Sequence, residues 1–210
     1  MHKKLIKLLI ICLFPSFVFA MPLKAPTTLN DRYPWAFTYY YGLTVSDPLA
    51  RIVVGELHRW PEHIQSAELA YTLNEENVLR RLLSPIVNVV QITGDVTMRK
   101  GANEHTIYEL DPYLALRWTH LPWNQYVNTS FAFGEGISYA SSVPALEKKG
   151  NDNTKRLLNL LIFEATFALP HYPQWQLVAR IHHRSGAYGL YHAGNSGSND
   201  VGFGIKYLFD

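Results

Sequence analysis

Near the end of the chain, His183 and Ser185 place a base and a hydroxyl two residues apart. An imidazole that takes the proton of a hydroxyl creates a nucleophile for acyl transfer. A third group is then needed to fix the ring tautomer and steady the imidazolium. On a strand, residues two apart point the same way, roughly 7 Å apart along the backbone. Here they continue an apolar face made by Trp175, Leu177, Ala179 and Ile181. A polar pair on such a face is hard to explain as packing, so its chemistry points to an ester carried by a lipid. The pattern H-x-S is common by chance; its position gives it weight.

The element carrying this pair is one of several segments of alternating polarity. Strands are expected near 35–45, 64–73, 86–99, 104–119, 126–139, 156–169, 175–185 and 199–209. Val127, Thr129, Phe131, Phe133, Ile137 and Tyr139 alternate with small or polar residues, and Val201, Phe203, Ile205, Tyr207 and Phe209 alternate with Gly202, Gly204 and Lys206. Apolar residues outward and polar residues inward is the rule of a membrane barrel. A soluble sandwich also alternates, but strands of this length suit a tilted membrane crossing better. Aromatics such as Trp35, Trp118, Trp175 and Tyr207 near strand ends fit interface girdles. Asp95, Glu109, Asp111, Arg117, Glu164, Arg180, Arg184 and Lys206 have inward parity. Mixed charges inside describe a barrel filled by side chains, not a pore. The expected fold is all-β, an eight-stranded antiparallel transmembrane β-barrel. Segment 48–60 is assigned to an extracellular loop with a helical turn, since a ninth strand would break the even count. Residues 74–84 carry a helical pattern ended by Pro85, and 140–155 form the longest polar connection.

Residues 1–20 read as a cleaved signal peptide. Lys3, Lys4 and Lys7 precede an apolar run from Leu5 to Phe14, and Val18-Phe19-Ala20 supplies the cleavage site. The barrel domain is then 21–210. Removing three of the nineteen Lys and Arg leaves sixteen against seventeen Asp and Glu, which speaks against a nucleic-acid surface. The lone Cys12 lies in the signal, so no disulfide, thiol nucleophile or thiolate metal site is expected. His58, His63, His105, His120, His171 and His192 show no metal-ligand spacing, and no metal or cofactor is expected.

The stretch Ile181-His-His-Arg-Ser-Gly-Ala-Tyr-Gly189 resembles the H-x-S-N-A-G motif of the outer-membrane lipid A 3-O-deacylases of the PagL type. The aromatic-rich end Phe203–Phe209 resembles the C-terminal assembly signal of outer-membrane proteins. The first resemblance implies a small eight-stranded barrel with histidine and serine on its outer surface, here His183 and Ser185. It implies lipid A as substrate; the second implies the outer-membrane assembly machinery as a partner. Gly186 stands where the motif has asparagine, and Ala187 matches it. The family's acid opens the last strand, and lining up that strand puts Asn199 there. Asn199 shares the outward parity of Val201 and would orient His183 as an amide. The other candidate acid is Glu135, outward by parity and two strands away, with Gly134 and Gly136 permitting a bulge that would turn it inward. Oxyanion donors are expected among the backbone N–H groups of Gly186 and Ala187, because developing charge needs preorganised dipoles.

Three functions follow: an outer-membrane esterase removing an ester-linked acyl chain from lipid A, a non-catalytic outer-membrane barrel with a structural, adhesive or lipid-binding role, or a soluble periplasmic lipid-binding barrel, which would need the apolar face inside. Loss of the acid at Asn199 favours the second. His182 has inward parity and reads as a satisfied interior histidine, and Arg184 is expected to pair with Asp200 or Glu164.

Overall fold

The computed structural model describes residues 28–101, 105–149 and 153–210. The expected signal peptide lies outside them. Eight antiparallel strands close into a barrel: β1 (Trp35–Val45), β2 (Arg59–Thr72), β3 (Val89–Gly101), β4 (Ile107–Trp118), β5 (Asn128–Ala140), β6 (Leu157–Ala168), β7 (Trp175–Ser185) and β8 (Gly197–Phe209). Every strand pairs with its sequence neighbour, and β1 closes on β8 from Trp35↔Phe209 to Val45↔Asn199. Closure removes the exposed edges that an open sheet would leave.

The alternation forces the barrel's polarity. All eight residues assigned inward by parity are buried, Asp111 and Arg184 completely. Glu164 gathers three cations, bonding Arg117 at 2.7 Å and also Arg180 and Lys206. Arg99 links Glu109 at 2.6 Å to Asp200 at 2.8 Å. These pairs are buried, and removing one partner of such a pair costs about 3–5 kcal/mol by leaving the other charge uncompensated. Outside, Phe37, Tyr39, Val96, Leu110, Phe203 and Ile205 are exposed. An apolar exterior around a charged interior is the inverse of a soluble barrel. No helix among the described residues is long and apolar enough to cross a membrane.

Four details differ from the expectations. Strand β2 begins at Arg59, so only residues 46–58 are loop, and they contain the short helix α1 (Leu49–Val53). Thr129 is buried despite outward parity, because its hydroxyl accepts from Trp123 Nε1 at 3.1 Å in the adjoining turn. Arg184 pairs with neither Asp200 nor Glu164. Its guanidinium reaches Glu147 at 3.0 Å and Glu109 at 3.4 Å. Glu147 belongs to a second short helix, α2 (Ala145–Lys148), after β5, and its buried carboxylate also accepts from Ser198 at 2.8 Å. Finally, no bulge turns Glu135 inward, because β5 keeps one register with both neighbours and leaves Glu135 exposed.

Candidate active site

The antiparallel register of β7 and β8 sets His183 directly opposite Asn199 and Ser185 opposite Gly197. Both pairs sit at the barrel end that carries the 46–58, 141–156 and 186–196 loops. His183 Nδ1 and Asn199 Oδ1 are 2.6 Å apart. The other side of the amide is also committed: Asn199 Nδ2 donates to the main-chain oxygen of Asp47 at 2.9 Å. A carbonyl only accepts, so the NH2 must face Asp47 and the Oδ1 must face His183. That oxygen accepts in turn, so Nδ1 of His183 carries the proton. Its Nε2 is left with the lone pair of a base.

Ser185 is partly exposed, on the same outward face one step further along β7. No hydrogen bond joins it to His183 among the described residues. Catalytic hydrogen bonds of this kind commonly tighten only when substrate is bound. Glu135 shares the row through Leu161, which pairs with both it and His183. Two strand spacings, roughly 10 Å, separate it from the imidazole. Glu135 makes no hydrogen bond to His183 among the described residues, and the carbonyl of Asn199 is the group on the His183 Nδ1.

The oxyanion expectation is corrected at one residue. Gly186 N–H donates to Ser196 O at 2.8 Å and is not free. The chain then turns left-handed at Ala187 (φ 45°) and Tyr188 (φ 53°), and neither of their N–H groups has a partner among the described hydrogen bonds. Two adjacent main-chain N–H groups directly after Gly186 are therefore uncommitted among the described hydrogen bonds, as oxyanion donors need to be. Gly186 is glycine for contact reasons: a Cβ there would lie 2.7 Å from Gly194 O.

Asp47 is a residue that the sequence reading missed. Its carboxylate accepts from His58 N at 2.5 Å and meets His58 Nδ1 at 2.8 Å. Ser46 N and its hydroxyl also reach His58 O, at 2.9 and 3.2 Å. The 46–58 loop is thus cinched at its base. The backbone and ring N–H groups of His58 hold the Asp47 carboxyl below its ordinary value, and the Asp47 hydrogen bond and charge hold the His58 ring above its own. No sequence signal marks this role, because the contact to Asn199 uses a main-chain atom.

Below His183, a shallow groove of about 500 Å³ runs down the outer wall. Ala165 and Ala179 pair across β6 and β7 as its floor, with Phe131, Phe163 and Phe203 around it. Within the barrel, Glu109, Asp111 and His182 offer donor atoms within 4.8 Å of one another, the arrangement among the described residues that could hold a metal ion. Their present partners are protein groups: His182 Nε2 meets Asp111 at 3.2 Å, and Glu109 is bound by Arg99 and Arg184.

No protein-family model matches the chain, and no curated protein matches it. Among solved structures, the chain is similar to the crystal structure of the outer membrane enzyme PagL, with a TM-score of 0.50 and 12% identity. The match covers 83% of this chain and 99% of that one. At this identity the likeness is one of fold: an eight-stranded barrel of the same kind.

Proposed function

We propose that this chain is an outer-membrane barrel, exported by a signal peptide over residues 1–20, that hydrolyses an ester-linked acyl chain of lipid A. The observation that carries the reading is the His183–Asn199 hydrogen bond on the outer wall, with its direction fixed and Ser185 beside it. Residues 21–210 form the working domain, the assembly machinery of the outer membrane inserts it, and no cofactor is required.

Ser185 Oγ attacks the ester carbonyl while His183 Nε2 accepts its proton. The carbonyl oxygen gathers negative charge, for which the uncommitted Ala187 and Tyr188 N–H groups are the donors at hand; such donors are worth about 10²–10³ in rate each. The ester C–O bond then breaks, and His183 returns the proton to the departing sugar hydroxyl. Water, deprotonated by the same Nε2, attacks the acyl-serine; the acyl C–Oγ bond breaks, the fatty acid leaves and His183 returns the proton to Ser185 Oγ. Asn199 orients the ring through Nδ1 without neutralising the imidazolium, as the asparagine of a Cys-His-Asn site does. The acyl chain occupies the apolar groove over Ala165 and Ala179, so the substrate need not leave the bilayer. A 3-O-linked chain is the expected position.

Mass spectrometry of lipid A from cells expressing the wild type and Ser185→Ala tests this. The wild type should yield lipid A lighter by one acyl chain and the variant an unmodified profile. Unmodified lipid A from both, with the barrel correctly inserted, would favour the non-catalytic reading.

A further inference from the structure

The amide at position 199 has two partners, and they demand different things. His183 Nδ1–H needs an acceptor, which a carboxylate would supply better than an amide. The Asp47 carbonyl needs a donor, which a carboxylate cannot supply. Asn199 and Asp47 are both buried, at 7% and 6% exposure, so water does not replace a missing donor there. An ionised acid would sit with its oxygen against the Asp47 oxygen, an uncompensated buried contact. The amide serves both partners at once, whereas an acid could do so only in its protonated form.

We propose that Asp47 is a positioning residue for the site: its main-chain carbonyl, held by the Ser46–Asp47–His58 clamp, fixes the Asn199 amide and through it the Nδ1–H tautomer of His183. The role of that tautomer in turnover rests on the esterase reading above; the tautomer itself does not. The relay runs from Asp47 O to Asn199 Nδ2, through the amide to Oδ1, and on to His183 Nδ1. If the amide turned over, its NH2 would face Nδ1, which would then have to carry the lone pair. The proton would move to Nε2, and the base facing Ser185 would be gone. Asparagine at this position is thereby the working partner of the 46–58 loop, not the remnant of an acid.

The test is imidazole ¹⁵N NMR on the full barrel refolded in micelles, as wild type, Asp47→Ala and Asn199→Asp, with lipid A turnover measured in parallel. The wild type should show His183 as the Nδ1–H tautomer. Asp47→Ala frees the clamp, so the Nε2–H form should appear and kcat should fall about 10-fold or more with KM within about 2-fold, the wrong tautomer being worth up to about 10⁴ in kcat. Asn199→Asp should not raise turnover. The proposal is overturned if Asp47→Ala keeps the wild-type tautomer and rate, or if Asn199→Asp is faster than wild type. Should Asp47→Ala not fold, His58→Ala removes only the ring half of the clamp and gives the same readout at lower amplitude. A barrel without turnover would sink the esterase reading and leave the tautomer measurement to judge the relay.

Discussion

Gly186 shows how one atom can decide between two motifs. The resemblance pointed to an asparagine there, but any side chain would bring its Cβ to 2.7 Å from the Gly194 carbonyl. The 186–196 loop folds back on itself, with Gly186 N–H tied to Ser196 O and Gly186 O accepting from Gly189 at 3.0 Å. This packing is a long-range contact that no local pattern announces, which is why the glycine looks like a departure until the loop is seen. Restoring the motif by Gly186→Asn should push the turn outward and move Ser185 and the Ala187 N–H. A displacement near 1 Å costs on the order of 10²-fold in rate, so kcat/KM for lipid A should fall by about that factor. Retention of wild-type kinetics would show that the turn does not set the geometry of attack. His183 and Ser185 were legible from strand parity, as was the facing of Asn199. The Gly186 N–H was not, because its partner is a loop carbonyl.

The elements most readable in the sequence are the strands, where period-two alternation meets a physical boundary on both faces. The expected limits 35–45 and 175–185 coincide with β1 and β7. Connections were less legible, because they are built from main-chain contacts and paired loop charges. Arg184 illustrates this: parity placed it inside, but its partner Glu147 comes from α2 in a loop. The 46–58 loop carries a prediction of its own. His58 has a raised value, so its charge supports the clamp fully below the ordinary 6.5 and that support is lost as pH rises through the raised value. Asp47 has a lowered value, so its contribution is present above the ordinary 3.8 and is lost as pH falls through the lowered value. The clamp should be tightest between 3.8 and 6.5, with Glu56 adding to the His58 charge and Arg51 opposing it. Hydrogen exchange at the His58 amide, corrected for intrinsic rate, should show greatest protection in that window. Protection that stays flat from pH 5 to 9 would remove the ring from the clamp.

For the molecule as a whole, inside and outside are set by the same alternation that makes the strands. Charged residues fill the interior as linked pairs, and the outer wall is mostly apolar, with His183, Ser185 and Asn199 among its polar residues at the loop end. A site on that wall can meet a substrate that stays in the bilayer, while the interior serves to hold β7 and β8 in register. Neither the fold likeness nor the interior network requires catalysis, so the claim rests on turnover. The most direct measurement is release of free fatty acid from lipid A by the purified, refolded barrel, comparing wild type, His183→Ala and Ser185→Ala. The wild type should release one fatty acid per lipid A, and either variant should lose on the order of 10³-fold or more of that rate. Equal release by all three proteins, or none from a wild-type barrel shown to be folded, would contradict it.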